Sequence, residues 1–319
     1  DSIYTSSSNI NINMAFKGYQ PPLFGNFGKD ARDLFKKQFD FENQVVVKNS
    51  ANNGVAIETR IVAANEAPLR GIFKSTIPVR TVGIFNGTFE SEFHTVADRE
   101  SKTSYKFNSL AKNLNVKVGL TGVKAAVKGE TPDFPEGWAF AEADYAQEYV
   151  AGSAGVRTNG NKTLADVVVA LGYDNLSVGG KVTVDTASKS APTDYNFGAQ
   201  IVGTDYVATG VTEKKRTALT LSYFQRVGRN QTVGASATFG LVKPTRTLTF
   251  GSDFRVDVDT AARGYVKVDS SKDSSTVGLA ITHRLLTPQA EVGVATEYTV
   301  SPAAVAASKF GVTLTFGDL

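Results

Sequence analysis

The sequence predicts an all-β protein, a transmembrane β-barrel of about nineteen strands, and three observations point there. From residue 41 onward apolar and polar side chains alternate with a period of two, the period of a strand with one wet face and one dry face. Turn residues recur at short intervals, as at 51–54, 158–161, 228–230 and 270–273, and cut the alternation into segments long enough to cross a bilayer at a tilt. No run approaches the roughly 18 apolar residues that a spanning helix needs. A chain of this composition crosses lipid as a closed ring of strands, the alternative to a helix that satisfies every backbone group there.

Taken in order, residues 1–20 read as a flexible N-terminal extension, rich in Ser and Asn and without a basic-then-apolar leader pattern. A helix is expected over about 22–37: Pro21 and Pro22 can open it, and Leu23, Phe27, Ala31 and Leu34 recur at helical spacing. Lys29, Arg32, Asp33, Lys36 and Lys37 fall largely on the other side. Gly25 and Gly28 each weaken such a helix by about 1 kcal/mol relative to Ala, so it depends on docking. Inside a barrel its apolar face would meet the wall and its charges the lumen.

The strands follow without a linker, so 21–319 reads as a single barrel domain. They run from 41–49 and 54–64 at one end to 290–300 and 309–317 at the other, each half wet. Leu114, Val116, Val118 and Leu120 oppose Asn115, Lys117 and Gly119; Val178, Val182 and Val184 oppose Lys181, Thr183 and Asp185; Leu248, Phe250 and Phe254 oppose Thr247, Thr249, Asp253 and Arg255. Residues 124–137, with Pro132 and Pro135, read as a loop, and the Ala-rich 302–308 as a connector. Tyr145, Tyr149, Tyr173, Tyr223 and Tyr298 are candidates for an interfacial girdle, and Trp138 reads either as a further anchor or as a loop residue packing on its neighbours.

Charge is nearly balanced, 34 Lys+Arg against 31 Asp+Glu, too mild for a nucleic-acid footprint. The chain has no Cys, which excludes disulfides and thiolate chemistry, and its two histidines, His94 and His283, lack metal-ligand spacing. Glu90/Glu92 and Glu142/Asp144 superficially resemble a glycosidase pair, yet each pair shares the wet face of a strand, where acids are expected solvation. With no G-x-S-x-G motif either, the reading is a non-enzyme that takes no cofactor.

Three motifs carry a family resemblance. Pro21-Pro22 followed by Gly28-Lys29, Ala31-Arg32-Asp33 and Phe35, then Leu171-Gly172-Tyr173-Asp174 with Gly179 and Asp185, and finally Lys309, Gly311, Leu314 and Phe316, stand in order across 15–319. This series resembles the mitochondrial voltage-dependent anion channel, a eukaryotic porin. The resemblance implies a nineteen-stranded barrel in the mitochondrial outer membrane with the helix inside the pore. It further implies passive, weakly anion-favouring diffusion of metabolites and small ions, adenine nucleotides included. Lys309, Gly311, Leu314 and Phe316 would form the sorting signal of the last strand. Membrane lipid, permeating anions and nucleotides, and a homo-oligomer or outer-membrane protein complex are the implied partners.

In that setting Lys29, Arg32, Lys36 and Lys37 supply cationic charge beside the helix, joined by wall residues Lys117, Lys181, Arg255 and Lys267 and partly offset by Asp33, Asp185 and Glu297. Gln38-Phe39-Asp40-Phe41 stands where the family usually has a glycine-rich hinge. Around residue 91, where some relatives carry a lipid-facing glutamate, this chain has Ser91 between Phe89 and Phe93. The alternative is the protein-conducting barrel of the outer-membrane import machinery, which shares the fold but would show acidic lumen patches; the Lys-rich helix argues against it.

Overall fold

The computed structural model describes residues 20–63, 70–80, 86–95, 101–111, 113–121, 138–159, 163–186, 192–213, 215–287, 289–302 and 304–317. Residues 1–19 of the 1–20 extension and the 124–137 loop lie outside the described residues. A 3-10 turn, Phe24–Asn26, and helix α1, Lys29–Lys36, precede the strands. These are β1 (Asn43–Ser50), β2 (Ala56–Ala63), β3 (Arg70–Arg80), β4 (Asn86–Thr95), β5 (Ser101–Ala111), β6 (Leu114–Thr121), β7 (Trp138–Ala146), β8 (Val150–Thr158), β9 (Thr163–Tyr173) and β10 (Leu176–Asp185). The series continues with β11 (Asp194–Val202), β12 (Tyr206–Glu213), β13 (Ala218–Arg226), β14 (Gln231–Gly240), β15 (Arg246–Arg255), β16 (Thr260–Asp269), β17 (Ser274–Leu285), β18 (Ala290–Ser301) and β19 (Ala304–Gly317).

Each strand pairs antiparallel with the next, and β1 closes the 19-stranded sheet by pairing with β19. An odd number of alternating strands leaves the first and last running the same way. The closure is accordingly parallel, with Val45 opposite Leu314 and Val47 opposite Phe316. Gly317 ends β19 at φ +101°, against the Lys48 backbone, where no other residue fits without strain.

One register parity holds around the ring. Val45, Ile57, Phe73, Val118, Val167, Val178, Phe250, Ile281 and Phe310 are exposed on the outer face, the expected surface of a barrel in hydrocarbon. The five girdle tyrosines are exposed as well. Trp138 differs: it pairs with Thr121, in the parity of Lys117 and Glu142, so the register turns it toward the lumen. On the outer face of β3 and β4 the hydroxyls of Ser75 and Ser91 hydrogen-bond each other at 2.6 Å, which lets two polar groups sit on a lipid-facing wall.

Two boundaries differ from the sequence reading. The stretch read as a connector at 302–308 is strand from Ala304 onward, because Ala304 and Ala307 pair with the extended end of β18 through a register shift near Thr299. The helix is shorter than 22–37, since Gly28 takes a left-handed φ of 65° and splits the 3-10 turn from α1.

Candidate functional site

The lumen is shaped by the segment from Pro21 to Phe41. An eight-residue helix is marginal alone in water, and the wall supplies what it lacks. Phe24 and Phe27 pack on Ala151 and Ala170, with Leu23, Val168 and Val211 around them. Ala31 and Leu34 pack on Val207 and Phe224, beside Phe35 and Val202. Phe24, Phe27 and Leu34 are all buried, and each contributes about 1.5–3 kcal/mol by leaving water. Three inward glycines give the segment its depth: a Cβ on Gly172 would meet Pro21 at 2.8 Å, on Gly234 Leu34 at 2.7 Å, and on Gly251 Phe35 at 2.9 Å.

The break at Gly28 is also a wall contact. A Cβ there would lie 2.7 Å from Ser222 Oγ, and the Gly28 N–H donates instead to the buried Gln200 Oε1 at 3.1 Å. Sequence reading placed the apolar face on the inner wall but, treating every strand as half wet, did not find which strands seat it. Its signal was present in β9, where Val167 to Leu171 runs apolar on both parities.

After α1 the chain is tied to the wall at several points. Arg263 donates to the Lys37 carbonyl at 3.0 Å, the Phe39 ring meets Tyr265 edge-on at 4.7 Å, and Lys309 Nζ stands 5.6 Å from the Phe41 ring centre. Gly311 leaves room for the backbone of Asp40 and Phe41 to cross it. The stretch without a glycine hinge is therefore held side chain by side chain.

The structure distributes the expected lumen charges unevenly. Lys29, Arg32, Lys36 and Lys37 are exposed on the open side of the docked segment. Lys37 pairs with Asp33 at 2.8 Å and Arg32 donates to the Gly25 carbonyl at 2.9 Å, while Lys29 and Lys36 make no salt bridge among the described residues. On the wall, Lys117 pairs with Glu90 at 3.5 Å and Lys181 with Asp166 at 3.6 Å. Arg255 and Lys267 lie on the lumen parity without a salt bridge among the described residues. Lys309 pairs with Glu297 at 2.8 Å, and Leu314 and Phe316 take the outward parity. Asp33, Lys37, Arg226, Arg255 and Arg284 help line a recess of about 840 Å³ between the end of α1 and the rim.

Among the described residues no cluster of His, Asp and Glu could hold a metal ion. The lumen charges are thus dispersed, some in pairs and some not, and are not gathered into one cluster.

Known proteins agree with this geometry. The family model of the eukaryotic porin matches residues 20–311. Outer plastidial membrane protein porin of Zea mays is 27% identical over 248 residues, covering 76% of this chain and 80% of that protein. Mitochondrial outer membrane protein porin 4 of Oryza sativa subsp. japonica is 26% identical over 245 residues, 76% of this chain and 71% of its own. Porin 6 of the same membrane and organism is 24% identical over 303 residues, 92% and 97% of the two chains. A closed ring of strands around a docked N-terminal segment, matched by a family model over nearly its whole length, makes this chain a channel protein, not an enzyme, and it belongs to the eukaryotic porin family.

Proposed function

We propose that this porin is a channel of the mitochondrial outer membrane through which metabolites and small ions diffuse passively, with a weak preference for anions and with adenine nucleotides among its permeants. Relatives named mitochondrial outer membrane porins support the location, although one relative is named for the plastid. Porin relatives, together with the cationic docked segment, favour this reading over a protein-import pore.

The observation that carries the anion preference is the pairing pattern. Wall cations Lys117, Lys181 and Lys309 each face a carboxylate, and such pairs nearly cancel at a distance. Lys29, Arg32 and Lys36 project from the docked segment without a salt bridge among the described residues, and Arg255 and Lys267 add to them from the wall. The surplus cationic field sits where the segment narrows the lumen, and in a hydrated pore it tilts the ion ratio only modestly. In the same reading Lys309, Gly311, Leu314 and Phe316 serve as the sorting signal, and residues 21–319 act as one barrel unit.

The test is a reversal potential across a planar bilayer under a salt gradient, for wild type and for the double variant Lys29→Glu, Arg32→Glu. Anion preference is expected to weaken or invert while the barrel still inserts. Unchanged selectivity would remove this segment from the permeation path.

A further inference from the structure

Arg216 is directed away from the lumen. The β12–β13 hairpin turns at Lys215 and Arg216, both in the left-handed region with φ of 57° and 63°. The Arg216 guanidinium stands 4.4 Å from the centre of the Phe197 ring and 5.2 Å from that of Tyr195. Both rings belong to the outer face: Phe197 pairs with Gly180 and Tyr195 with Val182, in the parity of the exposed Val178 and Val184. The charge is thus fixed outside the barrel, on aromatic rings at the lipid-facing edge of a rim.

Neither Lys215 nor Arg216 makes a salt bridge among the described residues. The nearby carboxylate of Asp194 takes the Lys215 backbone N–H at 3.1 Å and the Asn196 amide at 3.1 Å, so it is spent on neutral donors. A cation held over aromatic faces at the membrane interface completes its hydrogen bonding from the surroundings, and the groups there are headgroup phosphates. The guanidinium fork matches two phosphate oxygens, and a neighbouring lysine adds a second charge. Two adjacent cationic residues at the turn favour an anionic headgroup over one that carries its own ammonium.

We propose that Arg216 and Lys215, on the platform of Phe197 and Tyr195, form a binding site for the headgroup of an anionic phospholipid. Native mass spectrometry of the detergent-solubilised barrel, titrated separately with phosphatidylglycerol and phosphatidylcholine, tests it. Wild type is expected to hold one phosphatidylglycerol more tightly than phosphatidylcholine. Arg216→Asn, a residue that tolerates the left-handed backbone, is expected to weaken that first adduct about fivefold and to leave phosphatidylcholine and single-channel conductance unchanged. Phe197→Leu is expected to produce a smaller loss in the same direction, and it carries the test if Arg216→Asn does not assemble. Equal retention of the two lipids by wild type would overturn the proposal. So would an equal loss in Lys243→Asn, on the β14–β15 hairpin of the same rim.

Discussion

From β8 to β15 the wall positions that point into the barrel include Ala151, Val168, Ala170, Val207, Val211 and Phe224, which meet the docked segment or flank its seat, whereas from β2 to β7 they include Glu58, Arg60, Lys74, Glu90, Lys117, Glu142 and Asp144. Both halves obey the same strand parity and turn the same kind of face outward to lipid. They differ because the first half is covered by the Pro21–Phe35 segment and the second meets water. A period of two says that a strand has two faces, and what touches each face is decided elsewhere in the chain.

The largest break in that comparison comes from the seat. Phe27 is 1% exposed and packs on Ala151 and Ala170. Phe27→Ala is expected to cost docking about 3–5 kcal/mol, the range for emptying a buried phenylalanine site. Hydrogen exchange of the α1 amides measures it. Protection should fall steeply in Phe27→Ala and stay near wild type in Lys117→Ala, on the uncovered half. Equal protection in both variants would mean that the segment is held by its ends at Pro21 and Phe39 and not by its apolar face.

That asymmetry also marks how far the sequence could be read. Strand number, order and lipid face were legible in the alternation, because burial in hydrocarbon tolerates few exceptions on the outward parity. The last strand was underread at Ala304–Ala307, since alanine carries little strand preference and its pairing with β18 is imposed by the neighbour's backbone. The helix was placed on its apolar stripe, Phe27, Ala31 and Leu34, but its break at Gly28 depends on Gln200 and Ser222, which lie far along the chain. Charges on the helix and wall were legible as residues. Their pairing was not: Lys117 meets Glu90 only because β4, β5 and β6 bring them to one height.

A smaller effect sharpens the uncovered half. Lys117 and Glu90 are 29% and 37% exposed, so their 3.5 Å pair contributes at most about 1 kcal/mol to stability. Its larger role is electrical. Lys117→Ala leaves a bare carboxylate in the lumen and is expected to move the reversal potential toward cations. Glu90→Gln should move it toward anions, and the double variant should return close to wild type. Additive shifts of the same sign in the two single variants would show that the two groups do not offset each other in the open channel.

The smallest effect lies at the rim beside the covered half, in the hairpin between β15 and β16. Asp257 Oδ1 accepts the backbone N–H of Asp259 at 2.8 Å and that of Thr260 at 2.6 Å, and its other oxygen accepts the Thr260 hydroxyl at 3.0 Å. The Asp259 N–H, then the Thr260 hydroxyl, hold this carboxyl below its ordinary value. A lowered folded pKa means that the ionised form is the one bound to the turn. Its contribution is complete above the ordinary carboxylate value of about 3.9 and is lost as pH falls through the lowered folded value. Amide resonances of Asp259 and Thr260 should therefore titrate with a midpoint below that of a free aspartate, and in Asp257→Asn they should not titrate with this midpoint. A midpoint at or above the ordinary value would mean that the turn is held by its backbone alone and that the Asp257 carboxylate is a bystander.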